Sequence, residues 1–149
     1  MMNEIKKILI PVDFSANAPK LLKSAVYFTK QFQAHLVIIF VVQSFEDYSG
    51  FFVPHMPIAQ FEEEMLKSAE KKMEAFLHEN LDESVDSESV VRRGDVAEEL
   101  IDYAAERNID MIIMGTHGYK GLEKVLFGSV AEKVVKTAPC PVLTINPYK

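Results

Sequence analysis

Cysteine is almost absent from this chain: Cys140 is the one thiol in 149 residues. A single cysteine excludes an internal disulfide framework, and none of the paired cysteine and histidine spacings that hold zinc is present. A reducing compartment, the cytoplasm, is expected. Long hydrophobic runs are missing too. The longest, Leu36 to Val42, is far short of the roughly 20 residues that cross a bilayer. The run Ile8 to Val12 is too short for a secretory h-region and leads into Asp13 without a small-residue cleavage site, so neither a membrane span nor export is expected. Positive charge is in deficit, 16 Lys and Arg against 22 Asp and Glu for a net charge of −6. Nucleic-acid binding needs a basic face to neutralise phosphates, and that balance argues against it. Small anions remain open to the chain, provided local donors such as helix N-termini overcome the repulsive overall field. There is no internal repeat and no low-complexity tract.

What is present is an ordinary globular composition, 48% hydrophobic and 26% charged, at a length suited to one domain spanning 1–149. Five short apolar segments read as strands: Ile5 to Val12, His35 to Val42, Ser89 to Arg93, Met111 to Met114, and Val142 to Ile145. Four helical stretches separate them. The first, about 18–33, has Ser15 or Asn17 as its cap, Pro19 in its first turn and an apolar stripe at 21, 25, 28 and 32. The second, about 58–81, carries Phe61, Met65, Ala69, Met73 and Phe76 at helical spacing among many charges. The third starts at Asp95 with Glu98 three residues on, and the fourth at Ser129 with Glu132 in the same relation, the pattern of a capping box.

Strict alternation of strand and helix calls for a parallel sheet with right-handed crossovers and helices on both faces. The central segments are apolar without alternation, as strands covered on both faces must be. Ser89 to Arg93 is more polar and belongs at an edge. The expected fold is a doubly wound α/β domain with a five-stranded parallel sheet in the order 3-2-1-4-5. Its ligand crevice lies beyond the carboxyl ends of strands one and four, where the chain reverses direction. Pro11, which lacks a ladder donor, marks the end of strand one, with Asp13 just beyond it; Met114 and Gly115 close strand four. The connection 43–57, rich in aromatics, reads as a lid or a partner surface, and Asn80 to Ser89 as a solvated turn.

After strand four the chain reads MGTHGYKGLEKVLFGSVAEKV. Gly115 and Gly118 allow positive φ and close approach of the backbone to a ligand, and Gly128 does the same at the mouth of the fourth helix. Ser129 adds its hydroxyl and the first free N–H groups of that helix, a donor set suited to phosphate. The glycines could instead be turn and capping residues only. A G-x2-G-x9-G-[ST] pattern arises by chance in about one chain in two hundred of this length, taking average glycine usage. It also begins where a strand ends and finishes where a helix begins. No G-x-x-x-x-G-K-[ST] or G-x-G-x-x-G accompanies it, so the phosphate-binding mode is a distinct one.

This motif, with ILIPVDFS at strand one and the closing segments GSVAEKVV and APCPVLTI, resembles the universal stress protein family over nearly the whole chain, in the version that marks its ATP-binding branch. The resemblance implies that Asp13 and the backbone near Val41 hold the adenine and ribose end of ATP, with Pro11 and Met114 beside them. It places Gly115, His117, Gly118, Gly128, Ser129 and Val130 around the ribose and phosphates. It implies also a homodimer through Val142, Leu143, Thr144 and Ile145, consistent with the pairing capacity of an exposed edge strand. One departure stands out: the family often has glycine after the strand-one Asp, where this chain has Phe14.

Other readings of single residues stay open. Asp13 could cap a helix. His117 could touch phosphate or only bond the loop, and no partner that would orient it as a base is visible. Lys120 and Lys124 could add charge near the phosphates or be solvated. His35, His55 and His78 show no ligand spacing, so any Mg²⁺ would arrive with the nucleotide. Cys140, between two prolines, reads as a small buried apolar group. The favoured function is an ATP-binding stress-response regulator whose occupancy changes a partner surface. The alternatives are a slow ATPase or adenylate-transferring enzyme using Asp13 or His117, and a nucleotide-free interaction module.

Overall fold

The computed structural model describes residues 4–43, 58–116 and 128–148. The connection 44–57, with His55, and the loop 117–127, with His117, Gly118, Lys120 and Lys124, lie outside the described residues. The elements run β1 (Lys7–Pro11), α1 (Ala18–Phe32), β2 (His35–Gln43), α2 (Ile58–Asn80), β3 (Ser87–Gly94), α3 (Val96–Glu106), β4 (Met111–Gly115), α4 (Ser129–Thr137) and β5 (Val142–Ile145). All strands are parallel, in the order β3-β2-β1-β4-β5, as expected from the alternation.

Side-chain alternation sorts the strands into two cores. Ile8 and Ile10 of β1, with Leu36 and Ile38 of β2, pack with Leu22 and Ala25 of α1 and Met73 of α2. Leu9, Val37, Ile39 and Ile112 face the other way, onto Leu100 and Tyr103 of α3 and Val134 of α4. Because both faces are covered, β2 can be apolar at successive positions, as its sequence is. The polar β3 forms one edge, with Glu88 and Ser89 exposed, and β5 forms the other.

One local expectation is corrected by packing, and one open choice is resolved. The buried stripe of α1 is Ala18, Leu22, Ala25 and Thr29, while Phe32 stays 42% exposed. Thr29 can enter the interior because its hydroxyl donates to the Ala25 carbonyl at 2.7 Å, which removes the desolvation penalty of a buried polar group. The cap of α1 is Asn17, without a side-chain capping bond; Ser15 contributes its carbonyl, accepting from Ala18 N–H at 3.0 Å. At α3 the expected cap is present, Asp95 accepting from the Glu98 amide at 3.0 Å.

Where the strands end decides where a ligand can sit. β1 and β2 stay in register from Lys7↔His35 to Pro11↔Ile39, whereas β1 and β4 pair at Ile8↔Met111 and Leu9↔Ile112. At the amino end Asp110 accepts from Lys6 N–H and Lys7 N–H, both at 3.0 Å, tying β4 to β1. Toward the carboxyl end no such tie is present among the described residues, and the crevice of the chain reversal opens there.

Candidate functional site

That crevice is a cleft of about 140 Å³. Of the ten residues expected to form the site, the eight that are described all line it: Pro11, Asp13, Val41, Met114, Gly115, Gly128, Ser129 and Val130. The sheet supplies an apolar floor through Val12, Val41 and Met114, and Val96 and Leu100 of α3 continue it. An apolar slot with polar groups confined to its ends is the usual form of a site for a small organic ligand with a flat body.

One polar end is the turn after β1. Asp13 is not the helix cap; its Oδ1 accepts from Ser15 N–H at 2.9 Å, a side-chain-to-backbone turn of the kind short acidic residues favour. The bond fixes the carboxylate against the cleft, and its other oxygen has no partner among the described residues. An ionised carboxylate is acceptor-only, so this end suits hydroxyl and amine donors and repels phosphate. The turn also contains Phe14 at φ +60°, the left-handed region that glycine occupies without strain. The departure noticed in the sequence is thus a backbone position that favours glycine. Here it is held by ring contacts, Phe14 lying 4.6 Å from Phe40 and 5.7 Å from Phe76, centroid to centroid.

The other polar end is the mouth of α4. Gly128, not Ser129, is its N-cap, at φ −67° and ψ 157°, with no side-chain cap. The capping box expected between Ser129 and Glu132 is absent, because Ser129 is already the first helical residue and Glu132 turns to Lys136 at 2.9 Å. The positive φ expected at Gly115 and Gly128 is absent as well: among the described glycines it occurs only at Gly94, and Gly115 closes β4 opposite Ile145. What Gly128 provides is room. Among the described residues a Cβ there would find one neighbour within 4 Å, the Thr116 carbonyl oxygen at 3.9 Å, and Gly128 itself lines the cleft.

Hydrogen bonds frame this mouth without closing it. Gly128 N–H donates to the Thr116 carbonyl at 3.2 Å, Thr116 N–H to Ile145 at 2.9 Å, and Glu132 N–H to Gly128 at 3.0 Å. Between them the N–H groups of Ser129, Val130 and Ala131 have no acceptor among the described residues. At α3, by contrast, the first turn is capped by the Asp95 side chain. Three free amides at the positive end of a helix dipole attract an anion.

Sequence reasoning did not find Phe40, Thr116 or Pro147, which also line the cleft. Phe40 carries no mark that separates it from the other apolar residues of β2, and Pro147 reaches the cleft only because β5 delivers it there. Among the described residues no group of three or more His, Cys, Asp or Glu could hold a metal ion, and no helix is long and apolar enough to cross a membrane. Cys140 is half-buried and packs against the α3–α4 core. Burial, with Asp110 nearby, pushes its thiol up to about 11, so it is not a reactive group of the site.

The model of the universal stress protein family matches residues 4–146. The universal stress protein MJ0531 of Methanocaldococcus jannaschii is 36% identical, the match covering 99% of this chain and 85% of that protein. The solved structure of MJ0577, from the same archaeon, is similar with a TM-score of 0.80 at 29% identity, over 97% of both chains. A universal stress protein of Archaeoglobus fulgidus, solved in complex with dAMP, shares the fold at a TM-score of 0.58 and 19% identity, over 97% of this chain and all (100%) of that one.

Proposed function

Since this chain belongs to the universal stress protein family, we propose that it is an ATP-binding regulatory protein of the cytoplasm. It acts as one domain, and its nucleotide occupancy is read by partners. The observation that carries this reading is the set of three amides, of Ser129, Val130 and Ala131, that have no acceptor among the described residues and lie beside an apolar cleft. Adenine fits the slot between Val41 and Leu100, the ribose hydroxyls face the acceptor Asp13, and the phosphates lie against the α4 amides with any Mg²⁺ they bring. The Archaeoglobus protein of the same fold is solved with an adenine nucleotide, which supports the class of ligand. Main-chain amides grip an anion without offering or removing a proton, which favours holding ATP over turning it over. A chain bearing a net charge of −6 gains nothing from long-range attraction, so binding rests on these local donors.

Self-association belongs to the same proposal. β5 is the outermost strand on its side of the sheet, and its four residues Val142–Ile145 are half-buried, so a second copy can add to that edge. The decisive experiment is denaturation of freshly purified protein with mass spectrometry of what is released, alongside ATP titration of the apo form. A released adenine nucleotide and a rise in melting temperature with ATP are expected. Protein that carries none and is not stabilised by ATP overturns the reading. Light scattering checks the dimer, which a monomer at every concentration would refute.

A further inference from the structure

One wall of the cleft comes from a place that no motif marks. After β5 the chain does not leave the site. Ile145 accepts the Thr116 N–H at 2.9 Å, and the next three residues cross to the start of α1. Tyr148 N–H donates to Asn146 Oδ1 at 2.9 Å, closing a local turn. Asn17 Nδ2 donates to Tyr148 Oη at 3.3 Å. Lys20 Nζ donates to the Pro147 carbonyl at 2.7 Å. Pro147 is thereby buried, while Tyr148 beside it is 55% exposed. Pro147 lines the cleft with Ala18 and Leu21.

We infer that Asn146–Tyr148 is a strap forming a ligand-contacting wall of the nucleotide site, and that Lys20 is the positioning residue that holds it closed. The inference rests on the nucleotide reading above and adds to it a residue outside the glycine motif. Three features carry it. A proline has no N–H and a fixed φ, so Pro147 offers the cleft a rigid apolar face, and its carbonyl is left to bond elsewhere. The donor to that carbonyl is an ammonium, and charge-assisted bonds are the stronger kind. Finally, Lys20 sits on α1 and is spent on the strap, so its role is to hold the wall rather than to meet phosphate. The strap is also continuous with β5, so ligand against Pro147 and a second copy against the β5 edge act on one short stretch of chain. Binding energies that share such an element are coupled reciprocally.

The test compares wild type, Lys20→Met, Lys20→Arg and Pro147→Ala by calorimetric titration with ATP and, separately, adenosine, at a temperature well below every variant's melting point. Lys20→Met keeps the aliphatic stem and removes the donor; Lys20→Arg restores a donor; Pro147→Ala keeps the Lys20 acceptor and removes the ring. The expected result is a loss of about tenfold for Lys20→Met and Pro147→Ala, about 1.4 kcal/mol, of equal size for ATP and adenosine, with affinity largely recovered in Lys20→Arg. Equal affinities in wild type and both weakening variants overturn the strap and leave the nucleotide reading standing. A loss confined to ATP also overturns it, since that is the signature of charge acting on phosphate. Wild type that binds neither ligand overturns the nucleotide reading and the strap with it.

Discussion

Replacing Gly128 by serine is expected to move stability and ligand affinity in opposite directions. Gly128 already has the extended backbone of an N-cap, φ −67° and ψ 157°, so a side chain needs no backbone change. Among the described residues a Cβ meets the Thr116 oxygen alone, at 3.9 Å, which is ordinary contact. The new hydroxyl can accept from Val130 or Ala131 N–H, as N-cap serines do, for a few tenths of a kcal/mol over glycine. Removing a glycine also lowers the entropy of the unfolded chain by about 0.4–1 kcal/mol. Together these give about 1 kcal/mol, or a rise in Tm of about 2–4 °C for a chain of this size. On the proposed nucleotide reading, the same hydroxyl occupies an amide that would meet phosphate and fills the opening beside it. A hydrogen bond to a charged group contributes about 1.5–3 kcal/mol, so ATP should bind roughly 10–100-fold more weakly. Urea unfolding and ATP titration of one preparation measure both quantities. A Gly128→Ser protein that is less stable, or that binds ATP as wild type does, refutes the claim that this glycine is kept for the ligand.

Further outcomes are expected elsewhere. At position 14, where φ is +60°, Phe14→Ala and Phe14→Gly should both destabilise by loss of the Phe40 and Phe76 contacts. Glycine should nevertheless be the better of the two by about 1 kcal/mol, because the left-handed region strains any Cβ; equal denaturation midpoints would contradict the assignment. Glu62 is 5% exposed and meets Arg93 Nη1 at 2.6 Å, so Arg93→Met should cost about 2 kcal/mol, below the range for fully buried pairs because Arg93 is partly solvated. Glu62→Leu combined with Arg93→Met should recover most of that loss, as urea titrations of the single and double variants would show. For Cys140, whose thiol is raised from 9.0 to about 11 by burial, the folded state holds its proton where the unfolded chain has lost it. Its contribution is therefore complete below about pH 9 and lost as pH rises toward 11. A thiol reagent at pH 8 should react slowly with native protein and quickly in urea, and equal rates would refute the burial.

Much of this architecture is written locally. Asp95 with Glu98, Pro19 in the first turn of α1, and the unbroken apolar runs of β2 and β4 act over a few residues. Dihedral preference and periodicity suffice to read them, and the handedness of crossovers then leaves few sheet orders. The cleft was legible for a related reason: Asp13, Gly115, Gly128 and Ser129 sit where strands end or a helix begins, and such ends converge at one place in a doubly wound sheet. Sequence could not say why each glycine is there. Positive φ and close approach leave the same letter, and only the backbone of Gly128, at φ −67°, rules out the first of them there. Nor does pattern tell which of two adjacent stripes α1 buries, since that turns on whether the Thr29 hydroxyl finds a carbonyl within the helix. Glu62 with Arg93 and Pro147 with Lys20 join residues 31 and 127 positions apart. No short-range preference encodes such meetings; they exist because the sheet twists, the helices settle on its two faces, and the chain after β5 finds the start of α1 within reach.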